Sequence, residues 1–386
     1  MNPSLLWLAA ALFTWGIGEG MFFIFQPIYL SQLGANPLTI GYILGAAGFA
    51  MMMAHIPAGY LADRFGRRPL LIIAWFCGIV ATWIMALAPG LTIFVIGLIL
   101  YGFTAFVSSP LNSYVTSARG SWSVGRAITF ISATFNLGMI LGPFTGGWIG
   151  DHYGLRSIYF VAGILFVIST FFLLKIAPQP HDHHDPASPP PSLLTNSRYI
   201  GFLGLGFLVV LAAYLPQPLT SKFLQDVRGL SLSQIGLLGT IGGAGNTALT
   251  FVLGFLDARL GFILGQAGAG VFSLLLWQSN GYGWFAMAYF ALGGFRAVRS
   301  LFMAQIRPLV HESQMGLAYG FSESLLGLTG ILAPIIAGYL YERNTASIYP
   351  ISFVTILAVI FLSLIFTPRP PITGVEQAVP ILEVHE

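Results

Sequence analysis

Four strongly ionisable side chains stand inside long apolar runs of this chain: Glu19, Arg296, Arg299 and Glu323. A charge at the centre of a membrane helix costs roughly 2.5–3.5 kcal/mol on the insertion scale, so such residues are usually paired with one another or functional. An apolar surround raises the proton affinity of a carboxyl group, a neighbouring arginine lowers it, and a guanidinium group binds anions. These residue types therefore point to proton binding and anion recognition.

The chain that must position these residues is too apolar for a water-soluble protein. Only 8% of its 386 residues are Asp, Glu, Lys or Arg, and 56% are hydrophobic, whereas soluble domains carry about 25% charged residues. A soluble enzyme and a disordered chain are both excluded, which leaves a polytopic helical membrane protein. The net charge of +3 does not indicate nucleic-acid binding, and the single Cys77 permits no intramolecular disulfide.

The apolar runs predict an all-α fold with twelve transmembrane helices. The first six spans run over residues 5–28, 38–60, 69–88, 91–114, 126–149 and 156–176. The second six run over residues 199–219, 233–255, 260–278, 283–305, 316–340 and 348–367. We expect an N-terminal six-helix bundle (1–177), a proline- and histidine-rich cytoplasmic linker (178–198), a C-terminal six-helix bundle (199–367) and a cytoplasmic tail (368–386).

The two halves of the sequence repeat each other. Residues 40–66 overlay residues 235–261 at an offset of 195, and residues 125–151 overlay residues 316–342 at an offset of 191, both without a gap. An acid ends each copy of the second block: Asp151 and Glu342. Parallel six-helix repeats imply a pseudo-two-fold axis along the membrane normal, with a binding site between the halves near the midplane.

The basic residues predict the orientation of the chain. With the N-terminus in the cytoplasm, ten lysines and arginines fall on the cytoplasmic side and four fall outside. The positive-inside rule favours this arrangement over the opposite one. We therefore expect a multi-pass protein of the cell (inner) membrane with both termini in the cytoplasm.

The loop after the second span carries a recognisable motif, Gly59-Tyr-Leu-Ala-Asp63-Arg64-Phe-Gly66-Arg67-Arg68-Pro69. Together with the twelve spans, the central linker and the half-length repeat, this loop resembles the major facilitator superfamily. Gly66 permits a tight turn. Asp63 is expected beside the N-terminus of the eleventh helix, whose dipole favours a carboxylate by about 0.3–1 kcal/mol. We expect Asp63, Arg64 and Arg67 to gate the cytoplasmic side.

The fifth span carries a second motif, Gly138-Met-Ile-Leu-Gly142-Pro143-Phe-Thr-Gly146-Gly147. It resembles the antiporter motif of the superfamily's drug/proton exporters. Small residues at four-residue spacing give a flat face for close helix packing, and Pro143 removes a backbone hydrogen bond and bends the helix. Such a helix would seal the cavity against ion leak, so gating is assigned to all five named residues. The fourth span lacks the arginine that many such exporters carry, so their arginine-assisted proton relay is not carried over.

The resemblance and the buried charges together suggest roles for individual residues. An acid in the first span often binds the proton in the resembling exporters, so Glu19 is a proton-coupling candidate. Counted at about 1.5 Å per residue, Glu323 lies as deep as Arg299, and we expect the two side chains to pair and Glu323 to take part in coupling. Arg296 and Arg299 share a helix face and are candidates for substrate binding. Four further residues are candidate substrate contacts: Gln26, Asn136, Tyr214 and Gln217.

These observations lead to an expected function. We expect a proton-coupled secondary active transporter, not an enzyme, that exports a small amphipathic or anionic organic compound by rocking alternating access. Three alternatives stay open, namely proton-coupled uptake of an organic anion, lipid translocation, and a membrane receptor that binds its ligand without transporting it. The expected partners are a small-molecule substrate, protons and membrane lipid. No cofactor, metal or nucleic acid is expected, and we expect a monomer.

Overall fold

A computed structural model describes residues 2–178, 196–306, 309–310 and 315–367. The side chains of residues 55–65, 109, 296 and 315–317 lie outside this description. The described part contains sixteen α-helices, one short 3₁₀ helix and no β-strand. The predicted tail and residues 179–195 of the predicted linker are outside the described residues.

Six spans make up the N-terminal half. Its helices are α1 Pro3–Phe23, α2 Gln26–Gln32, α3 Pro37–Phe65, α4 Arg67–Leu87, α5 Leu91–Phe103, the 3₁₀ helix η1 Thr104–Val107, α6 Ser108–Ala118, α7 Val124–Tyr153 and α8 Leu155–Leu173. The first span is divided into α1 and α2, and the fourth is divided into α5, η1 and α6.

The C-terminal half repeats this pattern. Its helices are α9 Ser197–Tyr214, α10 Thr220–Asp226, α11 Leu232–Gly254, α12 Ala258–Gln278, α13 Tyr282–Leu292, α14 Gly294–Ile306, α15 Met315–Arg343 and α16 Ile348–Phe366. The seventh span is divided into α9 and α10, and the tenth into α13 and α14. The divided spans of the two halves are therefore the ones that the internal repeat relates.

The predicted twelve-span fold is confirmed, but the tenth span is divided into two short helices. Eleven helical segments of the described part are long and apolar enough to cross a membrane. The tenth span is missing from that set because α13 and α14 have only 11 and 13 residues. Gly293 separates them, and a β-carbon at this position would lie 2.2 Å from the backbone nitrogen of Asn246 in α11. The break therefore falls where the tenth span approaches its neighbour most closely.

Each half has an even number of spans, so both halves begin and end at the same end of the bundle, here called the terminal end. At the opposite or far end, α3 and α11 begin and α7 and α15 end. Two tight turns need a left-handed backbone, Gly66 with φ 81° and Gly154 with φ 82°. The turn predicted at Gly66 is thus confirmed, and Gly154 alone separates α7 from α8.

The halves meet along two repeat-related seams, α3 with α15 and α7 with α11. A β-carbon at Gly41 would lie 2.4 Å from the carbonyl oxygen of Pro334, and one at Gly236 would lie 2.2 Å from that of Pro143. Such distances are shorter than any real contact, so only glycine allows the backbones to touch here. The same glycine–proline contact closes both seams near the far end.

The described hydrogen bonds and close glycine contacts between α7 and α11 lie between Leu232 and Gly243, in the first half of α11. By contrast, β-carbons at Gly125 in α7, Gly254 in α11 and Gly320 in α15 would meet no described atom within 4 Å. Over the described residues, the close contacts between α7 and α11 lie toward the far end, and most residues in the terminal halves of these two helices are at least partly exposed.

Candidate functional site

The predicted pairing of Arg299 with Glu323 is present in the structure. Arg299 lies in α14 and Glu323 in α15, and Arg299 Nε donates to Glu323 Oε1 at 3.4 Å while Nη2 donates to Oε2. The side chains are 53% and 46% exposed. Both side chains are therefore only partly covered by other protein groups, which leaves room for a ligand group beside the pair.

An aromatic surface lies beside the pair on the same helix face. Phe295 precedes Arg299 by four residues, which places both on one side of α14. The ring of Phe295 stacks on Tyr214 at the end of α9, with ring centroids 6.1 Å apart and an interplanar angle of 11°. Phe295 and Tyr214 are both half-buried. This part of the C-terminal half therefore presents a guanidinium, a carboxylate and an aromatic face together.

Glu19 lies in the N-terminal half among aromatic side chains. Its Oε2 accepts a hydrogen bond from Trp15 Nε1 at 3.2 Å, and the phenol of Tyr101 in α5 is close enough to interact with it electrostatically. Trp15 stacks on Phe166 of α8 with centroids 3.9 Å apart. Glu19 itself is half-buried rather than enclosed. The carboxyl group thus combines an apolar surround with partial access, as a proton-binding group requires.

The remaining candidate contacts are dispersed. Gln26 is only 5% exposed, at the start of α2, and Asn136 is half-buried in α7. Gln217 Nε2 donates to the carbonyl oxygen of Ala213 at 2.8 Å. No hydrogen bond between described residues joins these three side chains to the Arg299–Glu323 pair, and their substrate-binding role stays a prediction. The side chain of Arg296 lies outside the described residues.

The glycines of the fifth-span motif divide into two sets. Gly138, Gly142 and Gly146 face α1, and a β-carbon at Gly142 would lie 2.5 Å from the carbonyl oxygen of Ile17. Gly147 faces α11 instead, where a β-carbon would lie 2.4 Å from the carbonyl oxygen of Leu232. One face of the motif therefore packs α7 against α1 in the same half, and a second face packs α7 against α11 in the other half.

The loop between the second and third spans is described only in part. The side chains of Asp63 and Arg64 lie outside the described residues, so the predicted latch is untested. Arg67 donates to Ser117 of α6, and Arg68 Nη2 donates to the carbonyl oxygen of Leu174 at 3.0 Å. These bonds tie the loop to the ends of the fourth and sixth spans within its own half.

Two polar contacts between the halves were missed as site residues. Asp151 at the end of α7 accepts hydrogen bonds from the backbone of α11, and Lys222 of α10 donates to Ser31 of α2. The internal repeat aligns Asp151 with Glu342, and Lys222 is one of the four basic residues expected outside. Neither residue type reveals its partner in the sequence.

Comparisons with known proteins extend over most of the chain. The sequence model of the Major Facilitator Superfamily matches residues 6–261 and 202–381.

The class G tetracycline resistance protein of Vibrio anguillarum is 27% identical over 351 residues, which cover 86% of this chain and 88% of that protein. The quinolone resistance protein NorA of Staphylococcus aureus is 24% identical over 365 residues, 89% of this chain and 91% of NorA. An uncharacterised MFS-type transporter of Methanocaldococcus jannaschii is 30% identical over 169 residues, 44% of this chain and 43% of that protein.

Solved structures share the fold at low sequence identity. The nucleoside transporter NupG, in a variant form, has a TM-score of 0.83 at 14% identity, covering 95% of this chain and 100% of that chain. A bacterial homologue of the lysosomal transporter Spinster, in an inward-facing conformation, has a TM-score of 0.72 at 14% identity, covering 95% and 98%. The chain is a multi-pass membrane transporter rather than an enzyme, and it belongs to the Major Facilitator Superfamily.

Proposed function

We propose that this protein is a proton-coupled secondary active transporter of the cell membrane that exports a small amphipathic or anionic organic compound by rocking alternating access. The observation that supports it most directly is the half-exposed Arg299–Glu323 pair beside the Tyr214–Phe295 stack. A fixed cation, a fixed anion and an aromatic face on one surface match a ligand that carries both an apolar ring and a charged group.

Substrate binding at this surface is a partner exchange. The acidic group of the compound takes the place of Glu323 on Arg299 while its apolar part lies against the stacked rings. Because each side chain of the pair is about half exposed, the acidic group can reach Arg299 without unpacking the helices. The names of two relatives, for tetracycline and quinolone resistance, favour a small organic compound over a lipid.

The expected orientation gives each end of the bundle a place in the cycle. With the terminal end in the cytoplasm, the packed far end faces the outside, and the more exposed end of the α7–α11 seam faces the cytoplasm, from which an exporter takes its substrate. The two glycine–proline contacts then form the outer seal. The halves rock between this state and one that opens outward.

Glu19 couples the proton to this cycle. Protonation of Glu19 from the outside releases the substrate, the halves rock and open inward, and Glu19 loses its proton as a new substrate engages Arg296. The half-buried position of Glu19 among aromatic rings supports this role, because a change of water access alters the proton affinity of such a carboxyl group.

Transport in proteoliposomes with an imposed pH gradient tests the proposal, with tetracycline and a fluorescent quinolone as probes. We expect an inside-acid gradient to drive accumulation of at least one probe in vesicles whose inserted protein exposes its terminal end outward. Glu19→Gln should abolish gradient-driven accumulation and retain probe exchange. Glu342→Gln, which changes an exposed acid at the far end, is the matched control and should leave accumulation intact.

Three results would contradict parts of the proposal. Unchanged gradient-driven flux in Glu19→Gln removes Glu19 from coupling. Accumulation of the probe together with protons identifies an uptake symporter. Flipping of a labelled lipid, with no flux of either probe, identifies a lipid translocator.

A further inference from the structure

The far end of the α7–α11 seam is fastened by a carboxylate. Asp151, in the last turn of α7, reaches across to the first turn of α11 in the other half. Its Oδ1 accepts from the backbone nitrogen of Leu232 at 2.9 Å, and its Oδ2 accepts from that of Ser233 at 2.7 Å. Both oxygens of one side chain thus bind backbone groups of the opposite half.

These two bonds complete the cap of α11. The first backbone N–H groups of a helix have no partner within the helix, and they form the positive end of its dipole. Ser231 Oγ accepts from the nitrogen of Gln234 at 3.2 Å, and Gln234 Oε1 accepts from the nitrogen of Ser231 at 3.0 Å. This capping box leaves the N–H groups of Leu232 and Ser233, which are the two that Asp151 binds. The end of α11 is fully satisfied only while the two halves stay together.

Two further polar contacts join the halves nearby. Thr240 Oγ1 in α11 donates to the carbonyl oxygen of Ile140 in α7 at 2.7 Å. Lys222 Nζ, in a residue that is 9% exposed, donates to Ser31 Oγ at 2.7 Å and pairs with Asp226 at 2.6 Å. Asp151 therefore belongs to a set of polar contacts that must break before the far end separates.

The repeat-related seam is built differently. Glu342 is the counterpart of Asp151, but it makes no hydrogen bond to another described residue. The start of α3 is capped from its own segment instead, because Asn36 Oδ1 accepts from the nitrogen of Thr39 at 2.8 Å and Pro37 has no N–H group. Within the described residues, the α3–α15 seam closes by glycine packing, and the α7–α11 seam adds a charged cap.

We propose that Asp151 is the latch of the far-end gate and that the α7–α11 seam, through this carboxylate, sets how often the far end opens. The inference rests on the proposed function only for its place in a transport cycle. The latch itself is a conformational claim about two halves that separate at one end, and it is measurable without substrate or a proton gradient.

Distance measurement between spin labels tests the latch. Cys77 is replaced by alanine, and labels are attached at Tyr153→Cys in the N-terminal half and Val227→Cys in the C-terminal half, both exposed at the far end. We expect one short distance in the parent protein. Asp151→Asn should raise the population of a longer distance about two- to fivefold, since a carboxylate at a helix N-terminus contributes about that factor.

Glu342→Gln in the same background is the matched control, because it neutralises the aligned acid that caps no helix, and it should leave the distances unchanged. Equal thermal unfolding of the two variants excludes a general folding defect, and Asp151→Glu should restore part of the short distance. An unchanged distribution in Asp151→Asn, or an equal shift in both variants, overturns the latch. A shift confined to Asp151→Asn in a protein without proton-coupled flux upholds the latch and refutes the proposed function.

Discussion

At the scale of single residues, the chemistry rests on charges that are paired across helices but not buried. Glu323 joins Arg299 with both side chains about half exposed. A pair that is fully enclosed costs 3–5 kcal/mol when one partner is removed, whereas an exposed pair contributes about 0–1 kcal/mol. The accessibility of this pair is the observation on which its proposed role in substrate binding rests.

A substitution at Glu323 tests this distinction. Glu323→Gln should lower the free energy of unfolding by less than about 1 kcal/mol and should reduce probe flux strongly, because the partner that competes with the substrate is lost. Thermal unfolding in detergent and flux in proteoliposomes measure the two effects. A loss of several kcal/mol of stability with a proportional loss of flux would instead assign the pair to the fold.

The sequence predicted this pair but could not predict the contacts of Asp151 or Lys222. Counting residues along two neighbouring helices gives their relative depth, and that was sufficient for Arg299 and Glu323. Asp151 binds backbone N–H groups, which every residue except proline has, so no residue type marks its partner. Lys222 meets Ser31 only because the two halves close together at one end.

At the scale of helices, glycine sets the distance between α7 and its neighbours. Gly142 faces α1, and a β-carbon there would lie 2.6 Å from the α-carbon of Gly20. Gly125 stands on the same helix with open space beside it. A comparison of the two positions therefore distinguishes the effect of close helix packing on stability from the general effect of glycine on a helix.

Alanine at these two positions should have opposite effects. Gly142→Ala should lower the free energy of unfolding by about 1–3 kcal/mol, because the backbones must move apart. Gly125→Ala should leave it unchanged or raise it by up to about 1 kcal/mol, because alanine favours the helix. Thermal unfolding of both variants in one detergent is the measurement. Equal stability of the two would show that α1 and α7 do not require close contact.

The helices themselves were largely predictable, whereas only some of their breaks have a signal in the sequence. Hydropathy and length located all twelve spans, because a membrane-spanning helix needs a long apolar run whatever its neighbours are. The division of the first span lies beside Pro27, and that of the seventh contains Pro216 and Pro218, which lack the N–H group that a continuous helix needs. The division of the tenth span falls at a close approach between helices. Gly293 is one such place, and its sequence context, Leu292-Gly-Gly-Phe295, gives no separate signal for the neighbour that it meets.

At the scale of the whole molecule, the internal repeat produces two seams with one geometry and different chemistry. Repeat-related glycines and prolines make the same backbone contact in both. In the α7–α11 seam, hydrogen bonds add to this backbone contact, and the hydrogen bond of Lys222 to Ser31 lies at the same far end of the bundle. The two six-helix halves of a pseudo-symmetric molecule can therefore keep the same structure, while the polar contacts of one seam control how the halves separate.

Covalent closure of the far end should stop transport. A short, reducible cross-linker between Tyr153→Cys and Val227→Cys, with Cys77 replaced by alanine, should reduce probe flux to background, because alternating access needs the far end to open. Reduction of the linker should restore the flux. Each single-cysteine protein treated with the same reagent is the control, and full flux in the cross-linked protein would exclude rocking of the halves.

The single-residue connection at Gly154 has a consequence for how this chain can vary. Since each residue turns an α-helix by about 100°, one residue inserted at the start of α8 would rotate the rest of that helix against α7 and turn Phe166 away from Trp15 in α1. The corner thus tolerates neither lengthening nor, at φ 82°, a side chain without strain. Natural variants of this protein should differ in the linker and tail and keep this corner at constant length.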